Sequence, residues 1–293
     1  MTRIFATGLG RPETPVRLED GTWLVVEMSP QRGCVTQLSS EGRIARVVAR
    51  TGRPNGVRMG ADGALWVAES GPSPALLRVT MEGEISTWLT EVEGRPFLFP
   101  NDLCFGPDGM LYMTDSGIPQ PRWASVPPGE RHGLDFDGRL YQIDLDGGGA
   151  TILDDGLRFA NGVALGPGGD ALFVSETLTG SIYAYPMGEG RVRAPRHLFA
   201  NVLDPTVDVP LKGPDGMAFG ADGRLYVAVF GEGDVAVVRP DGAVVERLRT
   251  AGKEPTNVAF GARGERRLYV TETELGQVEV FEVESDGAPL RRR

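Results

Sequence analysis

Short apolar runs alternate with turn residues along this chain, and one arrangement of them recurs six times. In its clearest copy, Met217-Ala218-Phe219 and Leu225-Tyr226-Val227-Ala228-Val229 flank Asp222-Gly223. Asp-Gly tolerates the positive φ of a tight turn, so the pattern predicts a β-hairpin. Pro214-Asp215-Gly216 leads into its first strand. Behind Asn55 come Val57-Arg58-Met59, Asp62-Gly63 and Leu65-Trp66-Val67. Behind Asn101 come Leu103-Cys104-Phe105, Asp108-Gly109 and Leu111-Tyr112-Met113. Asn161 leads Val163-Ala164-Leu165, Gly168-Gly169 and Leu172-Phe173-Val174; Thr256 leads Val258-Ala259-Phe260, Arg263-Gly264 and Leu268-Tyr269-Val270. The most degenerate copy has Glu13, Val16-Arg17-Leu18, Asp20-Gly21 and Trp23-Leu24-Val25. In every copy the turn begins seven positions after the lead residue.

Further strands follow each hairpin, such as Ala75–Val79, Ile85–Leu89 and Asp234–Val238. Repeats of roughly 40–60 residues with several strands each predict an all-β, six-bladed β-propeller, with residues 1–293 as one domain. The sixth copy runs out of chain after Gln277–Val283, and Arg3-Ile4-Phe5-Ala6 is expected to supply its missing strand. That pairing would close the ring and remove two open sheet edges. One connection is long: Ser116 to Asp137, rich in Pro and Gly and holding Arg122, Trp123, Arg131 and His132. A structureless loop of this length is either a lid over a site or a plain surface excursion.

Composition narrows the partners. A net charge of −10 argues against nucleic acid and suits a site that collects cations. No apolar run approaches ~18 residues, so no membrane span is expected, and Met1 to Pro15 lacks the apolar stretch of a signal peptide. Cys34 and Cys104 lie in different repeats and make no disulfide framework, so a cytoplasmic location is the default expectation. Arg291 to Arg293 read as a frayed tail. The partner expected is a small molecule; the oligomeric state is left open.

In a propeller the first strand of each blade lines the central channel, so the six lead residues should converge on the axis. All six, Glu13, Asn55, Asn101, Asn161, Asp215 and Thr256, carry a side-chain oxygen. Asn and Asp are also ordinary turn formers, which accounts for Asn-Gly at Asn55 and Asn161. Glu13 is not a turn former. Two carboxylates among neutral amides are what a hard cation such as Ca²⁺ binds. Only His132 and His197 exist and neither is a lead residue, which disfavours a zinc site. A second acidic series, Glu27, Glu69, Asp115, Glu176 and Glu272, follows the second strands, with Val229 breaking it in the fifth copy. These acids either bond backbone N–H groups where blades meet or orient the ligands.

Glu13-Thr14-Pro15, Pro100-Asn101-Asp102, Asn161-Gly162 and Pro214-Asp215-Gly216-Met217, one per blade and in order, resemble the SMP-30/gluconolactonase/luciferin-regenerating-enzyme family. The resemblance covers nearly the whole chain. It implies a six-bladed propeller with a divalent metal in the channel, held by residues matching Glu13, Asn161 and Asp215. Asn101 matches a fourth position that binds metal or substrate. Two departures stand out: Thr14 where the family often has Gly, and Phe99 where sugar lactonases often carry Arg. With Phe97 and Phe159, Phe99 points to a substrate less polar than a free aldonolactone. Asn101, Asn55, Phe99 and Trp123 are the expected substrate contacts. The expected activity is metal-dependent lactone hydrolysis, with Asp215 as base, proton shuttle or nucleophile and Glu13 chiefly a ligand. Ca²⁺ is the first choice of cation, with Zn²⁺, Mn²⁺ or Mg²⁺ able to substitute. Lys212 falls at the pocket rim or on the surface. Phosphotriester or ester hydrolysis at the same site, and a non-catalytic binding propeller, are the rival readings.

Overall fold

Each hairpin read from the sequence is the inner half of an antiparallel sheet in the computed structural model, which describes residues 3–107, 109–189 and 191–289. Asp108 and the tail Arg291–Arg293 lie outside the described residues. The first blade runs outward through Pro12–Arg17, Trp23–Glu27, Cys34–Leu38 and Ile44–Arg50. The second uses Pro54–Met59, Leu65–Glu69, Ala75–Val79 and Ile85–Leu89; the third uses Pro100–Phe105, Leu111–Asp115, Gly138–Ile143 and Ala150–Leu157. The fourth comprises Ala160–Leu165, Ala171–Glu176, Ser181–Gly188 and His197–Asn201, with the two-residue strand Arg191–Val192 added to its third strand. Gly213–Phe219, Leu225–Phe230, Asp234–Val238 and Val244–Arg249 form the fifth. The sixth pairs Pro255–Phe260, Arg267–Glu272 and Gln277–Glu282 with the N-terminal strand Arg3–Ala6. Arg3 pairs with Val280 and Ile4 with Glu279, so the ring closes as expected. Phe5 packs edge-on against Tyr269 at 5.0 Å, and the Leu9 N–H donates to the Gly276 carbonyl at 3.0 Å.

The core lies between blades. Leu24, Val26 and Val35 of the first sheet pack with Val57, Leu65 and Val67 of the second, and Met217, Leu225 and Val227 of the fifth pack with Ile182 of the fourth. Each such side chain contributes roughly 1.5–3 kcal/mol by leaving water. Second strands are covered on both faces, so all five residues of Trp23–Glu27 are buried, whereas Ile85 and Trp88 on an outer strand are exposed.

Every inner strand has a register irregularity just after its first residues, between Glu13 and Val16, Pro54 and Val57, Pro100 and Leu103, Ala160 and Val163, Pro214 and Met217, and Pro255 and Asn257. A bulge re-aims the side chain beside it, and here that residue is always the lead residue or its neighbour. Proline immediately precedes the lead residue in five blades, where the missing N–H is tolerated at a strand's start.

The long connection is not structureless. It holds a helical turn at Gln120–Ala124 and a 3₁₀ turn at Pro128–Gly133. Trp123, Leu134 and Phe136 from it pack on a cluster of Phe99, Ile118, Phe159, Leu178 and Leu211. Cys34 and Cys104 are free and buried. Among the described residues no helix is long and apolar enough to cross a membrane.

Candidate metal centre

All six lead residues line one cavity of about 100 Å³. The blades approach closely there. A Cβ on Gly162, next to Asn161, would lie 2.4 Å from the carbonyl oxygen of Asp215 on the neighbouring blade. At the equivalent position of the first blade stands Thr14, held at a φ of 41°, a left-handed conformation unusual for a β-branched residue. Its hydroxyl bonds the Glu13 carboxylate and lies 3.1 Å from the Asn55 carbonyl oxygen.

Hydrogen bonding fixes which way two of the amides face. The Ser116 hydroxyl donates to the Ala160 carbonyl at 3.0 Å, and the Thr177 hydroxyl donates to the Pro214 carbonyl at 2.9 Å. A carbonyl only accepts, so each hydroxyl has spent its proton and must itself accept from an amide. Asn101 Nδ2 donates to Ser116 at 2.9 Å and Asn161 Nδ2 to Thr177 at 3.0 Å. Both amide nitrogens are thereby held toward the blade junction, and each Oδ1 is left as the free end of its amide. The Thr256 hydroxyl instead reaches the Pro12 carbonyl at 3.0 Å, tying the last blade to the first.

The carboxylates have partners too, Thr14 and Asn257 at Glu13 and the Gly216 N–H and Asn161 at Asp215, but these do not offset their burial. Glu13 is buried, and burial, then the nearby charge of Asp102, pushes its carboxyl up to about 8 against the Thr14 hydroxyl and the Asn257 amide. Asp215 is raised well above the usual range by burial, then by Glu13 and Asp102. Asp102, which sequence reasoning did not single out, accepts from the Leu103 N–H at 2.7 Å and faces Arg58 at 3.3 Å. Each unit of upward shift is about 1.4 kcal/mol against the charged form, so two anions here are unfavourable without a cation.

The donor set fits one class of metal. It offers two carboxylates and oriented amide oxygens, and among the described residues no group of three or more His, Cys, Asp or Glu is placed to hold a metal ion. Oxygen donors of this kind suit a hard cation rather than one needing imidazole or thiolate.

The second acidic series is structural. Glu69 accepts the N–H groups of Arg53 and Gly71, Asp115 those of Leu98, Phe99 and Gly117, and Glu272 those of Glu254, Glu274 and Leu275. Glu27 takes Gly10 N–H and Glu176 takes Arg158 N–H. In the fifth blade, where Val229 breaks the series, Glu232 accepts from Asp204 N–H at 2.9 Å and pairs with Lys212 at 3.1 Å. Lys212 is therefore neither a rim nor a free surface residue; its Nζ also donates to the Asp204 and Val207 carbonyls.

Phe99 and Trp123 line the cavity as expected, and Phe159 with them; His132 and His197 do not. Two sets of lining residues were missed. Met28, Thr177, Phe230 and Thr273 each directly follow a second-strand acid or its replacement, and the Thr273 hydroxyl is buried without a partner. Strand alternation carries that signal: if the acid points to the junction, the next residue points to the channel. Arg11, Arg53 and Arg131 also line the cavity.

Comparison with known proteins agrees with this architecture. The family model described as SMP-30/Gluconolactonase/LRE-like region matches residues 12–274. A gluconolactonase of Zymomonas mobilis is 26% identical over 278 residues, covering 89% of this chain and 76% of that protein. The diisopropyl-fluorophosphatase of Loligo vulgaris is 28% identical over 207 residues, 67% of this chain and 60% of its own length, so the match spans less than two thirds of that protein. A calcium-binding protein, regucalcin, from Agrobacterium tumefaciens superposes with a TM-score of 0.79 at 20% identity, covering 100% of this chain and 98% of that one, a likeness of fold.

Proposed function

The chain belongs to the SMP-30/gluconolactonase/LRE-like family, and from that premise we propose that it is a lactone hydrolase whose centre is the cavity ringed by the lead residues. The observation that carries this is the meeting of Glu13 and Asp215, two carboxylates in no ion pair among the described residues, with amides of Asn101 and Asn161 turned to leave their oxygens free. Held by Glu13, Asn161 and Asp215 with Asn101 beside them, a divalent cation, Ca²⁺ by preference, would polarise the lactone carbonyl and stabilise the charge that develops on its oxygen. Asp215 is the proton carrier. Both line the cavity, but Asp215 is partly exposed while Glu13 is buried, so Asp215 can take a proton from the attacking water and return it to the ring oxygen as the ester bond breaks. Glu13 contributes charge rather than proton transfer, because Thr14 and Asn257 already occupy its carboxylate. Asn55 and Asn101 can bond substrate oxygens, and Phe99 and Trp123 exclude water from one side.

The similarity to a diisopropyl-fluorophosphatase supports a second reading, phosphotriester hydrolysis at the same residues. The test is to strip the protein of metal, restore single cations, and assay lactones, aryl esters and phosphotriesters. Lactone opening that returns with Ca²⁺ is expected. Undiminished lactone opening in the stripped protein would overturn the metal-dependent reading, and a preference for triesters would establish the second. Inactivity on every substrate with every cation would leave a binding propeller.

A further inference from the structure

A second ring of side chains stands two residues before the lead residues: Arg11, Arg53, Phe99, Phe159, Gly213 and Glu254. Arg11, Arg53, Phe99 and Phe159, each just ahead of its inner strand, line the same cavity as the leads. The ring is divided. Arginines come from the first two blades and phenylalanines from the next two. The long connection adds one side chain to each half, Arg131 and Trp123. The halves meet along a seam: the Arg131 guanidinium lies 4.3 Å from the Trp123 ring centre, Arg53 lies 4.9 Å from that of Phe99, and Trp123 stacks on Phe159 at 4.3 Å.

Carboxylates lie near the three arginines, Glu13 and Glu69 by Arg53 and Glu254 by Arg131, but close pairing is sparse. Arg53 donates to the Ser70 hydroxyl at 2.6 Å and Arg131 to the Val126 carbonyl at 3.0 Å, and among the described residues neither is in an ion pair. Arg11 has Glu254, at 3.9 Å. Arg247, away from the cavity, instead pairs with both Glu232 and Asp234. Like charge is felt within the cluster: burial first, then Arg11, lowers both Arg131 and Arg53, the latter to about 10. Arg11 and Phe159 are also held at φ values of 55° and 68°, strain of the kind found beside binding sites. Arg53 and Arg131 line the cavity without a carboxylate in ion-pair range among the described residues, and such guanidiniums are suited to a carboxylate, sulfonate or phosphate arriving from outside.

We propose that the cavity takes an anionic lactone, with its ring at the oxygen donors, its charged substituent on Arg53, Arg131 and Arg11, and its apolar body against Phe99, Trp123 and Phe159. This rests on the lactone-hydrolase reading and narrows it. An uncharged polyhydroxylated lactone would leave the arginines unanswered and set hydroxyls against aromatic faces.

The probes are a γ-butyrolactone bearing a ring carboxylate and its methyl ester, assayed for kcat/KM. A tetrahydrofuran carboxylate, which has no bond to hydrolyse, serves for binding by calorimetry. The wild-type protein should prefer the acid to the ester by roughly 10–100-fold, chiefly through KM, as charge-assisted hydrogen bonds give. Arg53→Gln and Arg131→Gln should each reduce that ratio about tenfold, and Arg131→Lys should restore part of it. Arg131 sits outside the sheets, so its variants test the idea even if Arg53→Gln folds poorly. Lactone opening with equal rates for acid and ester, and a ratio unmoved by either variant, overturns the anionic substrate and leaves the hydrolase reading intact. Arginine-dependent binding of the tetrahydrofuran carboxylate without opening of any lactone upholds the anion site and overturns the hydrolase reading. Neither binding nor opening overturns both.

Discussion

The same hairpin carries two sets of buried carboxylates, and the protein treats them oppositely. Glu272, at the end of a second strand, is completely buried and accepts three backbone N–H groups. Glu13, at the start of an inner strand, is nearly as buried but has only the Thr14 hydroxyl and the Asn257 amide. Burial would raise Glu27 as it does Glu13, yet Arg32, Thr36 and the Gly10 N–H hold Glu27 below the ordinary range. Burial alone therefore does not distinguish a site from a strut. Asp115 makes the point from the other side: three N–H groups surround it and burial still raises it. What separates the sets is whether the remaining acceptor capacity faces protein or cavity. Asp115 and Glu272 are enclosed by their own blade's backbone, whereas Glu13 and Asp215 line the channel.

The sharpest way to break this comparison is Asp215→Asn. The substitution keeps size and one ligand oxygen but removes the basic site. At saturating cation, with occupancy measured separately, kcat on a lactone should fall by ~10²–10⁴-fold, the usual contribution of a positioned general base. A fully loaded variant turning over at the wild-type rate would reduce Asp215 to a ligand.

The next effect is on stability. Without cation, Glu13 and Asp215 in the folded protein hold protons that the unfolded chain has released above about pH 5. The folded state then binds more protons than the unfolded state, so stability should decline from about pH 5 to about pH 8, by on the order of a few kcal/mol. Added Ca²⁺ should cancel the decline, so the cation-induced rise in Tm should grow with pH across that window. Glu13→Gln should flatten the cation-free slope. Glu27 has the opposite sign: its stabilisation is present at neutral pH and is lost as pH drops through the carboxylate range. Melts in chelator and in Ca²⁺ over this range check both; a cation effect that does not change with pH would put these carboxylates outside the cation's reach.

The fold was legible because a propeller repeats its local signals. A turn with glycine in its second position, seven residues after each lead residue, and two apolar triplets around it marked every blade, and the unpaired sixth blade pointed to Arg3–Ala6. The convergence of six lead residues followed from topology alone. Other features needed contacts between blades that no single repeat encodes. Asp102 reaches Glu13 and Asp215 only across the channel, and the amides of Asn101 and Asn161 are oriented by carbonyls of the next blade. The helical turns in 120–133 were hidden by their prolines, which start short helices as readily as they mark loops. Arg11 and Arg53 were visible as positions, but that Arg11 reaches Glu254 while Arg53 is in no ion pair among the described residues is a fact of three dimensions.

The smallest expected effect tests the structural half of the comparison. Glu272→Gln replaces one acceptor oxygen by an NH₂ group that faces backbone donors. Glu272 receives Glu254 and Glu274 N–H on one oxygen, at 2.9 and 3.2 Å, and Leu275 N–H on the other, at 2.7 Å. The amide can satisfy one side only, leaving at least one part-buried N–H without its acceptor, at up to about 1–3 kcal/mol. A second term works the other way. Glu279 is raised first by burial and also by the nearby charge of Glu272, so removing that charge relieves a repulsion. The net loss should therefore fall near the low end, about 1 kcal/mol, and should be larger in a Glu279→Gln background, where there is no repulsion left to relieve. Because Glu272 does not line the cavity, kcat and KM should stay close to wild type. Denaturant melts of the two single variants and the double variant, with kinetics on each, measure both terms. A loss of turnover without loss of stability would move Glu272 from the frame of the site into its chemistry.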